Sequence, residues 1–174
     1  MISCRPWVAV TLAAALAACS PTLNWRDVRP EGSGAALLMP CRPDEQRRDV
    51  TLAGASVKLS MSACRAGAQT WALAHADVVD EARVSAALTE LRVAAAANLG
   101  ASAPQALALN VPGATPNPAS QRLRLAGHLP DGTAVEEDVA VFARGTRVFQ
   151  ATVIGPSLSA EGVQTFFTSL RVGR

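Results

Sequence analysis

Residues 121–153 read QRLRLAGHLPDGTAVEEDVAVFARGTRVFQATV. Leu123, Leu125 and Leu129 alternate with Arg122 and Arg124, and Val135, Val139 and Val141 follow beyond a Gly-bearing break. A period of two over such a stretch predicts strands, and the two breaks predict a three-strand antiparallel meander. Taking Asp131-Gly132-Thr133 as the first loop sets Leu125 opposite Val139 and Leu123 opposite Val141. Taking Arg144-Gly145-Thr146 as the second sets Val141 opposite Phe149 and Val139 opposite Ala151. One face is then apolar throughout. The other carries Arg122, Arg124, Glu136 and Asp138, placed for cross-strand pairs contributing a few tenths of a kcal/mol each.

Upstream, Val50-Thr51-Leu52 and Val57-Lys58-Leu59-Ser60-Met61 also alternate. A two-residue Gly54-Ala55 loop, with glycine first as in a type II′ turn, pairs Leu52 with Val57 and Val50 with Leu59. Ala35 to Met39 forms a first strand, stopped by Pro40 and Pro43, and Thr70 to His75 a strand leading into a helix. Asp77 and Asp80 are both suitable N-caps for that helix. Val84, Leu88, Leu91 and Ala95 recur at helical spacing, and Gly100 suits the terminating position, so the spacing predicts a helix over 80–98. A second helix is expected over 160–170, with Ser159 as N-cap, Leu158 and Val163 as a hydrophobic staple, and an apolar stripe of Val163, Phe166, Phe167 and Leu170. Residues 104–118, rich in proline, contain Leu107 and Leu109 as a short strand and otherwise read as the longest mobile loop. The fold class expected is α+β, an antiparallel β-sheet flanked by two α-helices in one domain over 35–174.

The chain has 174 residues, 49% hydrophobic and 17% charged, too apolar for a disordered polymer. Sixteen basic against fourteen acidic residues leave a net charge of only +2, and with 4% aromatics and no Tyr there is little from which to build a nucleic-acid surface.

The amino terminus is informative about address. Arg5 precedes an apolar run from Trp7 to Ala18, too short to span a bilayer, so residues 1–18 read as a secretory signal peptide. Leu16-Ala17-Ala18-Cys19 resembles the lipobox of bacterial lipoproteins. That resemblance implies cleavage before Cys19, diacylation of its sulfur (palmitate among the chains) and acylation of its new amine. Ser20, where an Asp would direct retention at the inner membrane, favours the outer membrane, with the domain facing the periplasm. Residues 19–34, bearing Pro21, Pro30, Gly32, Ser33 and Gly34, read as a tether. Within it Trp25 either packs at the membrane interface or docks on the domain.

Element order and punctuation carry a second resemblance. The turn Met39-Pro40-Cys41-Arg42-Pro43, the ββ pair, the central helix, the meander and the closing Phe166-Phe167-Thr168-Ser169-Leu170 helix are similar to the Mog1/PsbP/DcrB-like α/β/α sandwich, over about 35–172. That fold hosts unrelated roles and implies no activity.

With Cys4 in the leader and Cys19 given to lipid, Cys41 and Cys64 remain, an even pair for an oxidising compartment. A disulfide is expected, since the hairpin between them brings its ends together. A metal site of both thiols with His75 lacks the ligand spacing and a fourth ligand. No metal site and no cofactor is expected. Nothing resembles a nucleophile elbow, a dinucleotide or phosphate loop, or a zinc helix. His75 reads as a strand-end residue and His128 as a solvated neighbour of Glu136. The meander register puts Glu137 on the apolar face opposite Gly127, where a carboxylate would have a raised pKa. The preferred reading instead starts or bulges the strand near Asp138 and leaves Glu137 in water. Arg42, Arg47, Arg48 and Arg65 gather around the disulfide as a candidate binding surface for anionic headgroups or an acidic partner, although Asp44, Glu45 and Asp49 interleave with them as in a solvated loop. The function expected is that of a non-enzymatic, lipid-anchored envelope protein that binds an unidentified envelope protein. The alternative is a periplasmic carrier of a small ligand or lipid near 104–118. A catalytic role for His75, His128 or Glu137 is the weakest reading.

Overall fold

Three of the tight turns fix the register of the hairpins they close in the computed structural model, which describes residues 23–173. The expected leader and Cys19 lie outside the described residues. β3 (Asp44–Leu52) and β4 (Ala55–Ala66) meet through Ala53-Gly54, with φ of 49° and 73°. Positive φ at both loop positions is the type I′ turn, whose twist matches the strands. Glycine therefore takes the second position, Leu52 faces Ala55 and Val50 faces Val57. The expected pairing was two residues out, a slip that leaves the apolar side chains on the same face.

The turn between β7 (Gln121–His128) and β8 (Ala134–Arg144) is also displaced by one position. Its loop is Pro130-Asp131-Gly132, with the Leu129 amide donating to Thr133 O at 2.9 Å and the Gly132 amide to Leu129 O at 2.9 Å. Proline suits the first corner of such a turn and Gly132, at φ 85°, its left-handed last position. Leu123 consequently faces Val139 and Leu125 faces Glu137.

The third turn changes the fold's reading. β8 and β9 (Arg147–Gly155) are joined by two residues, Gly145-Thr146, not three. Phe142 faces Phe149 and Ala140 faces Ala151. A one-residue slip moves every side chain to the other side of the sheet. Phe149 and Ala151 thus lie opposite the face of Val139 and Val141, and the sheet has two apolar faces where one was expected.

Both faces are covered. The seven-stranded antiparallel sheet runs β3-β4-β5-β9-β8-β7-β6, where β5 is Gln69–Asp77 and β6 is Gln105–Leu107. On one face lies α1 (Glu81–Asn98), which buries Val84, Ala87, Leu88 and Ala95 against Val139, Val141, Leu123 and Leu125. The Asp80 carboxylate accepts from the Ala82 amide at 2.9 Å as N-cap, while Asp77 accepts from the Val79 amide. On the other face lie α2 (Ala160–Ser169) and a three-stranded antiparallel sheet, β1-β2-β10, of Arg26–Val28, Ala35–Met39 and Arg171–Val172. Ser159 caps α2 by accepting from the Gly162 amide. Leu37, Met39, Trp71, Leu73, Phe142, Phe149 and Phe166 form the centre of this second core and are fully buried. The described residues therefore form an α+β fold, with two helices and two antiparallel sheets among them. The expected order of first strand, hairpin, strand, long helix, meander and short helix is present; the short strand expected at Leu107 and Leu109 is β6, ending at Leu107, and β1 and β10 are added.

The Cys41–Cys64 disulfide, Cα–Cα 5.9 Å, ties the end of β2 to β4 and so joins the two sheets. The stretch read as a tether carries structure from Leu23 onward. Trp25 packs edge-on against Trp71 at 5.8 Å, and β1 pairs with β2. Of the two alternatives for Trp25, docking on the domain is observed. The segment read as a salt-bridged loop from Asp44 to Asp49 is instead an exposed edge strand.

Candidate functional site

The densest group of charged side chains in the interior sits on β8. Strand alternation sends Glu136 and Asp138 to the α2 face and Glu137 to the α1 face. Asp138 is fully buried. Arg122, one strand away, donates Nε to its Oδ1 at 2.7 Å and a terminal nitrogen to Oδ2 at 2.9 Å, and Arg124 adds a third bond at 3.0 Å. The Arg122 guanidinium also lies 3.9 Å from the centre of the Phe167 ring. The expectation of weak cross-strand pairs is corrected here. Because the sheet is covered on this side too, α2 lies over the network, and the forked guanidinium of Arg122 satisfies both oxygens of a carboxylate that has no access to water. Nothing in the alternation pattern distinguishes this Asp from its solvated neighbours; only the second cover does.

Glu137 is 5% exposed, so the reading that placed it in water is corrected as well. β8 begins at Ala134, four residues before the start near Asp138 that the reading required. Its neighbours across the sheet are Leu125 and Ile154, not Gly127. Burial pushes its carboxyl pKa up to about 7; a hydrogen bond with Thr152 pulls the other way, and the adjacent Asp138 adds to the rise.

The histidines are not brought together. His75 lies on β5 and His128 at the end of β7, with β9 and β8 between them, at least about 14 Å at normal strand spacing. His75 is buried on the α2 face, 6.1 Å from the Phe149 ring. Burial lowers its pKa, Arg147 and Arg47 lower it further, and Glu45 opposes them. Its Nδ1 has no hydrogen-bond partner. The void beside it, about 10 Å³ between Glu31, Arg47, Ser60 and Ser62, is the size of one water molecule. His128 is exposed and stands two residues along from the strand position opposite Glu136. Among the described residues no group of three His, Cys, Asp or Glu side chains is placed to hold a metal ion.

Arg42, Arg47, Arg48 and Arg65 are all exposed, but they do not share one patch. Arg47 points to the α2 face and pairs with Glu31 at 2.6 Å. Arg48 and Arg65 point to the other face, six positions apart along the hairpin, roughly 20 Å. Arg42 lies in the turn before β3.

The stretch expected to be a mobile loop is tied down at three points. The Thr115 amide donates to Ala143 O at 2.7 Å, the Val172 amide to Pro112 O at 2.9 Å, and Arg144 to Gly113 O at 2.9 Å. Beside it lies an open groove of about 540 Å³, lined by Leu109, Val111, Pro116, Pro118 and Phe142 among others. A neighbouring recess of about 290 Å³ is lined by Asn110, Arg122, Gln164 and Phe167.

The sequence matches no protein-family model, and no curated protein is significantly similar to it.

Proposed function

We propose that this chain is a lipid-anchored protein of the bacterial cell envelope that serves as a binding module and carries out no catalysis. The Leu16-Ala17-Ala18-Cys19 sequence carries the reading, because a thiol following two small residues and a leader-like apolar run is what a lipoprotein peptidase and acyltransferases require. The outer membrane, with the domain facing the periplasm, is the destination that Ser20 favours. A paired Cys41 and Cys64 accords with an oxidising compartment. The placement of the chemical groups supports a non-catalytic role. Asp138 is committed to two arginines, His75 faces an aromatic core, and Glu137 sits among aliphatic side chains. The element order, with helices on both faces of a long antiparallel sheet, supports membership of the Mog1/PsbP-like α/β/α sandwiches.

Intact-mass analysis of the chain purified from envelopes tests the anchor. A polypeptide beginning at Cys19 and heavier by its acyl groups is expected, and Cys19→Ser should abolish that mass and the membrane association. A free thiol at Cys19, or cleavage elsewhere, would overturn the reading.

A second reading, a carrier of a small ligand or lipid, is favoured by the groove beside residues 108–120 and the Arg122-lined recess next to it. Native mass spectrometry of the purified protein should then show a retained ligand that Phe167→Ala or Val111→Trp releases.

A further inference from the structure

The outer edge of the seven-stranded sheet is β3, nine residues long, with no strand beyond it among the described residues. Because the two-residue turn closes on the Leu52–Ala55 pair, Asp44, Gln46, Arg48, Val50 and Leu52 direct their amide groups to β4. Glu45, Arg47, Asp49 and Thr51 direct theirs off the edge. Such an edge is a template for another strand, and proteins commonly blunt it with charge. Here the charges have a particular order. Residues 44–48 read Asp-Glu-Gln-Arg-Arg, and all five side chains are exposed. The order changes sign about Gln46: two acids precede it and two bases follow at mirror positions.

We propose that two copies of this chain pair edge to edge through β3, antiparallel, with the two-fold axis at Gln46. In that register Asp44 of each copy stands opposite Arg48 of the other, and Glu45 opposite Arg47. Facing residues share a face, so one set of ion pairs lies on each side of the sheet. Gln46 faces Gln46 across the axis, at a position where neither directs its amide toward the partner. The outward amides of Glu45 and Arg47 then bond to their counterparts, and Asp49 N–H can donate to the carbonyl of Pro43. Two sevens become one sheet of fourteen strands.

Other registers are poor. Moving the partner by two residues in one direction sets Glu45 against Asp49 and Arg47 against itself. Moving it by two in the other sets Glu45 against itself and Arg48 against Arg42. The charge that protects the edge from unrelated strands thus permits one self-complementary alignment, and a symmetric contact uses each pair twice. The existing pair of Arg47 with Glu31 lies on the α2 face and leaves the β3 backbone free.

The test uses the purified full chain and does not depend on lipidation, so it can fail while the envelope reading stands. Facing residues at a pair of this type have Cα atoms about 4.5 Å apart, within disulfide range. With Cys4→Ser and Cys19→Ser in place so that only the bridged Cys41 and Cys64 remain, Gln46→Cys should form a disulfide-linked species of twice the chain mass under mild oxidation, whereas that background alone and Lys58→Cys in it, one strand further in, should not. In the Gln46→Cys background, Asp44→Arg and Arg48→Asp alone should each lower the yield at least fivefold. Together they should restore it, because the swapped charges are again opposite. Retention of the Cys41–Cys64 bridge and of protease resistance monitors folding of each variant. Yield no higher than for Lys58→Cys, a linked species of any other mass, or failure of the folded double variant to recover would overturn the proposal.

Discussion

Glu137 and Asp138 are adjacent carboxylates buried from opposite sides of one strand, and their surroundings give them different energetics. Asp138 is held by three hydrogen bonds from two arginines. Removing it leaves the Arg122 and Arg124 guanidinium groups facing a cavity, so Asp138→Ala should cost about 3–5 kcal/mol in chemical denaturation. Glu137 stands between Leu125 and Ile154 with Thr152 as its hydrogen-bond partner, and burial raises its folded pKa to about 7, above its ordinary value of 4.5. The folded state therefore holds a proton that the unfolded state has released. The resulting stability is fully present below pH 4.5 and is lost as pH rises to 7, about 3 kcal/mol in all. Glu137→Leu should remove this slope and raise the denaturation midpoint at pH 8, measured by urea titration across pH 4–8. A mutant no more stable than the parent at pH 8 would mean that the carboxylate is solvated. His75 acts in the opposite sense. With its pKa lowered by burial, its contribution is present above the ordinary histidine range and is lost as pH falls through 6.5. The Glu137→Leu variant should therefore show the His75 loss on acidification more clearly than the parent does. That Glu137 belongs to an apolar face was legible from its parity with Val135 and Val139. That Asp138 is buried was not, because its parity places it with Arg122, Arg124 and Glu136.

Strands, helices and caps were largely legible because they depend on local pattern. Asp80 and Ser159 cap their helices as their side-chain chemistry requires, and the hydrophobic stripes of both helices face the sheet. The register was less legible, because it depends on which residue of each turn takes the left-handed conformation. In the β3–β4 turn Ala53 takes φ 49°, which costs an L-residue with a Cβ about 1–2 kcal/mol. Ala53→Asn, creating the Asn-Gly pair favoured in type I′ turns, should therefore stabilise the protein by about 1 kcal/mol, seen as a rise in thermal midpoint. If the turn were instead centred on Gly54-Ala55, position 53 would belong to a strand and Asn there would not stabilise. In the β8–β9 turn a single residue determines which face Phe149 meets. Two-residue and three-residue loops around Gly145 are both plausible locally, and the packing of Phe149 against Phe142, ring centres 5.0 Å apart, is realised only by the shorter one.

At the scale of the whole molecule, the small sheet and α2 pack on the large sheet through one buried core, and the Cys41–Cys64 bridge adds a covalent tie between the two sheets. It closes a loop over a sequence separation of 23 residues. Its loss should cost about 3 kcal/mol on the chain-entropy account. Cys41→Ser with Cys64→Ser should show this as a lower urea midpoint, and reduction of the parent should reproduce it. Equal stability with and without the bridge would mean that the pairing of β3 with β4 alone orders the segment. The small sheet also explains why the amino-terminal stretch was misread. Residues 26–28 have no strand pattern of their own and are ordered by β2, whose opposite edge takes β10 from the other end of the chain.

The sequence alone determined the helices, the principal strands and the cysteine pair, because each depends on residues close together in the chain or on parity within it. Tertiary structure decided that the sheet has two covered faces, that Asp138 is interior and that Trp25 packs against the core. These features depend on what lies above each face of the sheet, and the covering elements come from other segments of the chain (Phe167 is 29 residues beyond Asp138, and Trp25 is 46 residues before Trp71), whose docking depends on complementary surface and leaves no local period.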